Sequence, residues 1–559
     1  MKSTLRTIAV IMLACSLLLL AACSSNGNNA GGANSGEKPE DSRQTTAPAE
    51  EKADSPAPKE KVVTIGIVNS PITLNQINDQ GDSASKTLQA LLNDSLLDIN
   101  TSFEFLPKLA DSVETTDNQT FVVKLNAAAK WNDGQPFTTA DVKFTLLTAL
   151  HPKVESSFRL NFVEGTDDAG KLPEGQSELA GLTIVDDHTF EIKTKTPIDP
   201  NVFKETFATK VYFLPEHVLK DVPVDQLNTH PYFQKPEVTI GPFKYADFRK
   251  DQYTEVSRND NYYRPVAKLD KIFVKVLPAT NLVAQLQTGD IQLNSLPVGL
   301  IPITEYEKVK ALDNVNVDSS GPSEPAEIFF NTKALPNVKV RQAIAYALNR
   351  QLIVDQLFKG QAEVIDGSVP SDNPYYNGKL TPYTYDPDKA KALLAESGWD
   401  AKKPIRFLIP VGNKVREQAA DILVQNLTDV GFKIDVQKYD FGTLIDKVDN
   451  QQYELTIFNR DYYIEPSNYF SLFESGNGNN FILYSNPRVD ELIRQGAAEP
   501  DSAKRHIIYD ELQQILHDEL PTISVYSEKR LQAVAKDVLV GKPLNLGMFN
   551  QVNEWDLAE

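Results

Sequence analysis

The side chains best suited to nucleophilic or metal chemistry in this chain are two cysteines, Cys15 and Cys23, and six histidines. The histidines, His151, His188, His217, His230, His506 and His517, are scattered at no metal-ligand spacing, and no His-Glu-x-x-His, Cys-x-x-Cys or Gly-x-Ser-x-Gly run occurs. Neither a zinc hydrolase nor a strained serine nucleophile is therefore written here. Gly476-Asn477-Gly478-Asn479-Asn480-Phe481 begins like a phosphate loop but lacks the third glycine and a clear preceding strand, so it reads as a surface loop. Acidic side chains number 76 against 56 basic ones, for a net charge of -20, and no Lys/Arg-rich run interrupts them. A phosphate backbone demands a basic stripe, so nucleic acid is excluded as a partner. Nothing in these residues calls for catalysis, a cofactor or a metal.

Cys23 has a chemistry of its own. Lys2 and Arg6 precede an apolar run over 8–20, too short to span a bilayer comfortably, and the run ends in Leu20-Ala21-Ala22-Cys23. This is the layout of a signal peptide over 1–22, and its last four residues resemble the lipobox of bacterial lipoproteins, whose cysteine takes a lipid on sulfur before cleavage. Cys15 leaves with such a signal, so no intramolecular disulfide is expected. Lipidation is expected to occupy the remaining thiol and tie the protein to the outer face of the cell membrane. Residues 23–60, rich in Ser, Asn, Gly, Pro, Ala, Glu and Lys, have almost nothing to bury and are expected to be a flexible tether.

The body from 61 onward must position whatever recognises the ligand. Val62-Val63-Thr64-Ile65-Gly66-Ile67-Val68 reads as its first strand, followed by a helix over 82–97 with Leu88, Leu91 and Leu92 on one face. Strands are expected at 121–125, 182–185, 189–193 and 273–277, and a helix at 139–150. In the C-terminal half, Asp386-Pro387 opens a helix that Gly398 stops. A strand at 405–411, a helix at 417–430, a strand at 432–436, a helix at 442–450 and a strand at 453–458 then alternate, which implies parallel pairing through crossover helices. In such sheets ligands gather beyond the strand carboxyl ends, so the residues just after Phe458 are the first place to look. No second apolar stretch approaches membrane-spanning length, which places the body outside the bilayer.

Several longer stretches resemble one family. Residues 103–144, FEFLPKLADSVETTDNQTFVVKLNAAAKWNDGQPFTTADVKF, are similar to a segment of the family 5 extracellular solute-binding proteins. Asp133-Gly134 supplies a turn there, and Thr138 or Thr139 a helix cap. The likeness continues in Ile240-Gly241-Pro242-Phe243, in Val256-Ser257-Arg258-Asn259 with Tyr262-Tyr263, in Leu286 with Thr288-Gly289-Asp290-Ile291, in Phe329-Phe330-Asn331-Thr332, in the 340–350 helix and in 385–399.

The resemblance implies an α/β fold with mixed sheets: a two-lobed clamp of the periplasmic-binding-protein type II kind, with an extra subdomain and a discontinuous lobe I. Lobe I is expected from 61–100, 235–320 and 525–559, its accessory subdomain from 101–234, and lobe II from 321–524. It further implies a monomer that holds a peptide between its lobes and delivers it to ABC transporter permease subunits. Family cargo also includes nickel chelates, haem and oligosaccharides, and a peptide-pheromone receptor or an exported hydrolase stands outside that reading. In peptide-binding members an aspartate pairs with the ligand ammonium within a motif resembling Ala-Asp-Tyr-x-Asp/Glu-Pro. Here the text is Asn459-Arg460-Asp461-Tyr462-Tyr463-Ile464-Glu465-Pro466, one residue longer. Asp461 takes the aspartate's place by its distance from the strand, with Glu465 as the alternative. Tyr462 and Tyr463 are candidates to flank the ligand's first side chain, and Asn480 and Phe481 to approach its backbone. Leu74-Asn75-Gln76, in a region that often encloses ligand, lacks the family's proline.

Overall fold

The computed structural model describes residues 59–559 apart from 81, 100–103, 159, 323, 368, 372, 461–464, 500, 541–548, 550 and 559. The expected signal peptide, Cys23 and nearly all of the tether lie outside the described residues, as do Asp461, Tyr462 and Tyr463.

The body is organised on one twelve-stranded mixed sheet. From one edge its main path runs Lys433–Tyr439, Pro404–Pro410, Leu455–Asn459, Ala326–Phe330, Thr522–Ala535, Leu293–Asn294, Val62–Ile67, Lys271–Val276, Tyr253–Arg258 and Phe243–Arg249. The expected parallel unit is present: Pro404–Pro410 pairs in parallel with both Lys433–Tyr439 and Leu455–Asn459. Helices Lys414–Asp429 and Phe441–Asp449 make the crossovers. A separate four-stranded antiparallel sheet runs Ala110–Thr115, Thr120–Leu125, Thr189–Lys193, Leu182–Asp186.

Thr522–Ala535 is the strand the whole body shares. Its first residues pair with Ala326–Phe330, Tyr526 opposite Ala326 and Thr522 opposite Phe329. Its last residues pair with Val315–Pro322, Leu531 opposite Ser319 and Ala535 opposite Val315, while Val534 reaches Leu293. The chain thus passes twice between the two ends of the sheet along adjacent strands, and Glu324 Oε2 beside Arg530 Nη2 at 2.7 Å ties the two passages together. Apolar side chains collect in distinct cores on either side of this crossing. One surrounds Trp131, Phe137, Phe203 and Phe207, a second Val63, Leu88 and Trp555, and two others Ile344, Leu423 and Tyr509. The architecture is the α/β clamp of two lobes, one of them discontinuous and carrying an extra subdomain.

Local chemistry accounts for the elements. Asp386 accepts from the Lys389 N–H at 2.9 Å with Pro387 at the first helical position, and Gly398 closes the turn at φ 67°, the left-handed conformation that glycine adopts without strain. Thr138, not Thr139, caps the Thr139–Ala149 helix, and Asp141 returns the bond to the Thr138 N–H at 2.9 Å. The family-like Ile240-Gly241-Pro242-Phe243 packs on the end of the Ser83–Leu92 helix. The Gly241 N–H donates to Leu92 O at 2.8 Å, a Cβ on Gly241 would lie 2.4 Å from the Leu92 carbonyl carbon, and Asn259 Nδ2 donates to Gly241 O at 2.9 Å.

That helix is shorter than its apolar spacing predicts. It ends at Leu92, where Asn93 turns extended and donates its side-chain amide to Gln89 Oε1 at 2.7 Å. Asp94 accepts from the hydroxyls of Tyr262 at 2.8 Å and Tyr263 at 2.9 Å, and Leu97–Ile99 is a strand. Tertiary partners for the polar residues outweigh helical propensity here.

Candidate binding site

A cavity of about 880 Å³ opens between the segment that follows the first strand, the 156–160 and 206–212 segments, and Glu324 at the crossing. Its first wall is built by Asp82, whose carboxylate accepts from the Ser85 N–H at 2.8 Å and fixes the start of the Ser83–Leu92 helix. Ser83, Lys86 and Gln89, spaced at threes, then line the cavity along one helical face. Asn75 accepts from the Ile77 N–H at 3.0 Å and so holds the loop that brings Gln76, Asn78 and Asp79 to the same wall. The facing wall begins with a single α-turn, Pro200–Phe203, continued as a π-turn, Lys204–Ala208. π-Turns recur at functional sites because they re-aim side chains within a helix. Thr206 and Thr209 line the cavity from this stretch, and Lys210 and Tyr212 follow. Lys86 and Lys210 against Asp79 and Glu324 give the cavity both signs of charge, with amides and hydroxyls between them. That lining suits a ligand carrying opposite charges and hydrogen-bonding groups.

Tyr212 is backed by a buried charge cluster. Lys108 Nζ lies 3.2 Å from Asp94 Oδ1 and 3.1 Å from Asp98 Oδ2. Burial alone would depress the Lys108 ammonium, but the two carboxylates outweigh it and hold Lys108 above its ordinary value. Burial pushes the Tyr212 phenol up to about 12, with Lys108 opposing, so it stays a neutral hydrogen-bonding group at physiological pH.

The segment expected to hold the amine-binding carboxylate is anchored on both flanks near this cavity. Asn459 Nδ2 donates to Glu324 O at 3.0 Å, and the Arg460 N–H to Pro325 O at 3.2 Å. At the other flank the Glu465 N–H donates to Glu205 Oε2 at 3.0 Å, one residue from Thr206. In sequence, Asp461, Tyr462 and Tyr463 come between these anchors.

Glu465 itself is buried and already engaged. Its Oε1 accepts from the Ser467 N–H at 3.0 Å, capping the Pro466–Phe470 helix, and meets Arg505 Nη2 and, at 3.4 Å, the Tyr509 hydroxyl. Arg505 lies between the rings of Tyr375 and Tyr509, each 5.1 Å away, and donates from Nε to Gly496 O at 2.7 Å. Burial would lower its guanidinium, but Glu465, Tyr509 and Asp199 more than offset that and raise it. A carboxylate so committed has structural work to do.

Asn480 and Phe481 are likewise held by their surroundings. Asn480 Nδ2 donates to Glu474 O at 2.9 Å and Tyr484 O at 2.7 Å, pinning the loop on itself. Phe481 joins Phe329 and Phe458, ring centroids 5.2 and 5.8 Å away, and its carbonyl accepts from Gln451 Nε2 and the Tyr453 hydroxyl, both at 3.1 Å. The 476–481 stretch is the loop expected, yet Asn480 is buried in it. Sequence reasoning passed over the 206–212 wall and Glu324. A Thr-x-x-Thr pair in a short helical turn carries no motif, and Glu324 meets the cavity only through the crossing strands.

A profile described as "Bacterial extracellular solute-binding proteins, family 5 Middle" matches residues 104–481. The oligopeptide-binding protein AppA of Bacillus subtilis is 25% identical over 93% of this chain and 95% of its own. Its structure in complex with a nonapeptide superposes with a TM-score of 0.71 at 23% identity, covering 89% of this chain and all (100%) of that one. The heme-binding protein A of Haemophilus influenzae is 26% identical over 80% of this chain and 83% of its own. With two thirds of its length under one profile and relatives matched nearly end to end, the chain belongs to family 5 of the bacterial extracellular solute-binding proteins, which lie outside the cytoplasm and serve ABC importers.

Proposed function

We propose that this protein captures a peptide between its lobes, starting from the cavity that lobe I and its accessory subdomain line as far as Glu324, and delivers it to the permease subunits of an ABC importer. The observation that carries the reading is the 880 Å³ cavity itself, whose lining of two lysines, two carboxylates, amides and hydroxyls matches a zwitterionic backbone better than an apolar macrocycle. The clamp comprises lobe I at 61–100, 235–320 and 525–559, the accessory subdomain at 101–234, and lobe II at 321–524. Its hinge is the pair of passages around Glu324 and Arg530, and closure on a ligand that touches both lobes stabilises the closed state. Asp461 receives the peptide ammonium, since a desolvated ammonium needs an opposite charge and Glu465 is engaged by Arg505. Tyr462 and Tyr463 flank the first side chain. The protein acts by binding and not by catalysis, as a monomer held to the cell membrane through a lipid on Cys23.

Mass spectrometry of the ligands released on denaturing protein purified from its native host tests this reading. A mixture of short peptides is expected. Recovery of haem, a nickel chelate or an oligosaccharide instead would replace the cargo, and Cys23→Ser protein that still cofractionates with membranes would remove the anchor.

A further inference from the structure

Two polar contacts bridge separate hydrophobic cores next to the cavity. Asp199 and Glu205 stand on the turns that contribute Phe203 and Phe207 to one core, whereas Glu465 and Arg505 stand on elements packed in the core of Phe470, Tyr509 and Leu512. Arg505 Nη1 approaches Asp199 Oδ2 at 3.4 Å, and the Glu465 N–H donates to Glu205 Oε2 at 3.0 Å. The side chains of Asp199 and Arg505 are 2% and 1% exposed.

We propose that Asp199–Arg505 and Glu205–Glu465 form a latch between the accessory subdomain and lobe II that holds the clamp closed in the absence of cargo. The arrangement is asymmetric in a way that suits repeated opening. Arg505 is held from within its own lobe by Glu465, the Gly496 carbonyl and the two tyrosine rings, so it is preorganised whether or not Asp199 is docked. Asp199 has a second duty at home, accepting from the Asn201 N–H at 2.6 Å, and regains water when the lobes part. Separation therefore strands no buried charge, which is what makes most buried ion pairs so costly to break. The π-turn that carries Glu205 also carries Thr206 into the cavity, so latch and ligand contact share one rigid turn. The latch rests on the clamp motion proposed above but not on what the cargo is.

The test therefore uses ligand-free protein. Spin labels at Gln176→Cys in the accessory subdomain and Lys504→Cys in lobe II, both exposed, in a Cys15→Ser, Cys23→Ser background report the distance between the two by electron–electron double resonance. The parent is expected to give a narrow short-distance population. Asp199→Ser retains an N-cap acceptor, so its turn still forms, but removes the carboxylate, and with Glu205→Ala it is expected to move the population about tenfold towards longer distances. Melting temperatures of the variants establish that they are folded. A parent already open without ligand, or identical distance distributions in the parent, Asp199→Ser and the double variant, would overturn the latch whatever the cargo proves to be.

Discussion

Gly496 and Tyr509 are in contact so close that no side chain fits between them: a Cβ built on Gly496 would lie 2.2 Å from Tyr509 Cε1. Gly496 sits inside the Pro487–Ala498 helix, where alanine would ordinarily be preferred by roughly 0.5–1 kcal/mol. Overpacking outweighs that preference, because the displaced ring is one of the two that flank Arg505. Gly496→Ala is expected to lose about 1–3 kcal/mol in denaturant unfolding. Unchanged or increased stability would show that the ring moves freely.

Lys108 bridges Asp94 and Asp98. Lys108→Met keeps the volume but removes the cation that both carboxylates share, for an expected loss of about 3–5 kcal/mol. Adding Asp94→Asn and Asp98→Asn should recover part of it, and a triple variant no more stable than the single one would contradict the electrostatic account.

Asp461 and Glu465 separate cleanly by experiment. Asp461→Asn is expected to leave the melting temperature alone and to weaken binding of free-amine peptides by about 2–5 kcal/mol, N-acetylated peptides losing less. Glu465→Gln, which disturbs Arg505 and a helix cap, should instead lower the melting temperature. Calorimetric titration of both variants with both peptide types checks the assignment, and equal small losses throughout would refute amine recognition by either.

Asp117, which is not among the residues lining the cavity, provides a pH signature. Its carboxylate accepts from the Thr120 N–H at 2.7 Å and the Gln119 N–H at 2.9 Å, and these bonds hold it down to about 2. A depressed folded value means its contribution to stability is complete above the ordinary aspartate value of roughly 4 and is lost as pH falls through about 2. In NMR titration the Asp117 carboxyl should still be ionised at pH 3, and Asp117→Asn should flatten the acid limb of stability between those values. A midpoint near 4 would contradict the bonding.

What was legible in the sequence was local. The Pro387–Glu396 helix announces itself through Asp386, Pro387 and Gly398, and the parallel unit of Pro404–Pro410, Lys433–Tyr439 and Leu455–Asn459 through alternating apolar periods. Boundaries drifted where side chains had tertiary partners, as at Asn93 and Asp94. The Thr522–Ala535 strand was invisible because Glu528-Lys529-Arg530 breaks its apolar pattern, yet those residues lie where the strand passes from one pairing partner to the next. The cavity lining at 76–89, 156–160 and 206–212 carries no motif that spacing could reveal. Arg505 lies 40 residues from Glu465 and far beyond Asp199, and no spacing rule joins residues that meet through folding.

Because the Thr522–Ala535 strand supplies backbone hydrogen bonds to Ala326–Phe330 at one end and to Val315–Pro322 at the other, neither half of the sheet can melt without stripping an inner edge from its neighbour. Structural lobes and thermodynamic units consequently part company. The body, though several cores wide, is expected to unfold as one calorimetric transition, with the slowest amide exchange concentrated along this strand. The two halves proposed to move against each other are thereby kept from unfolding one without the other.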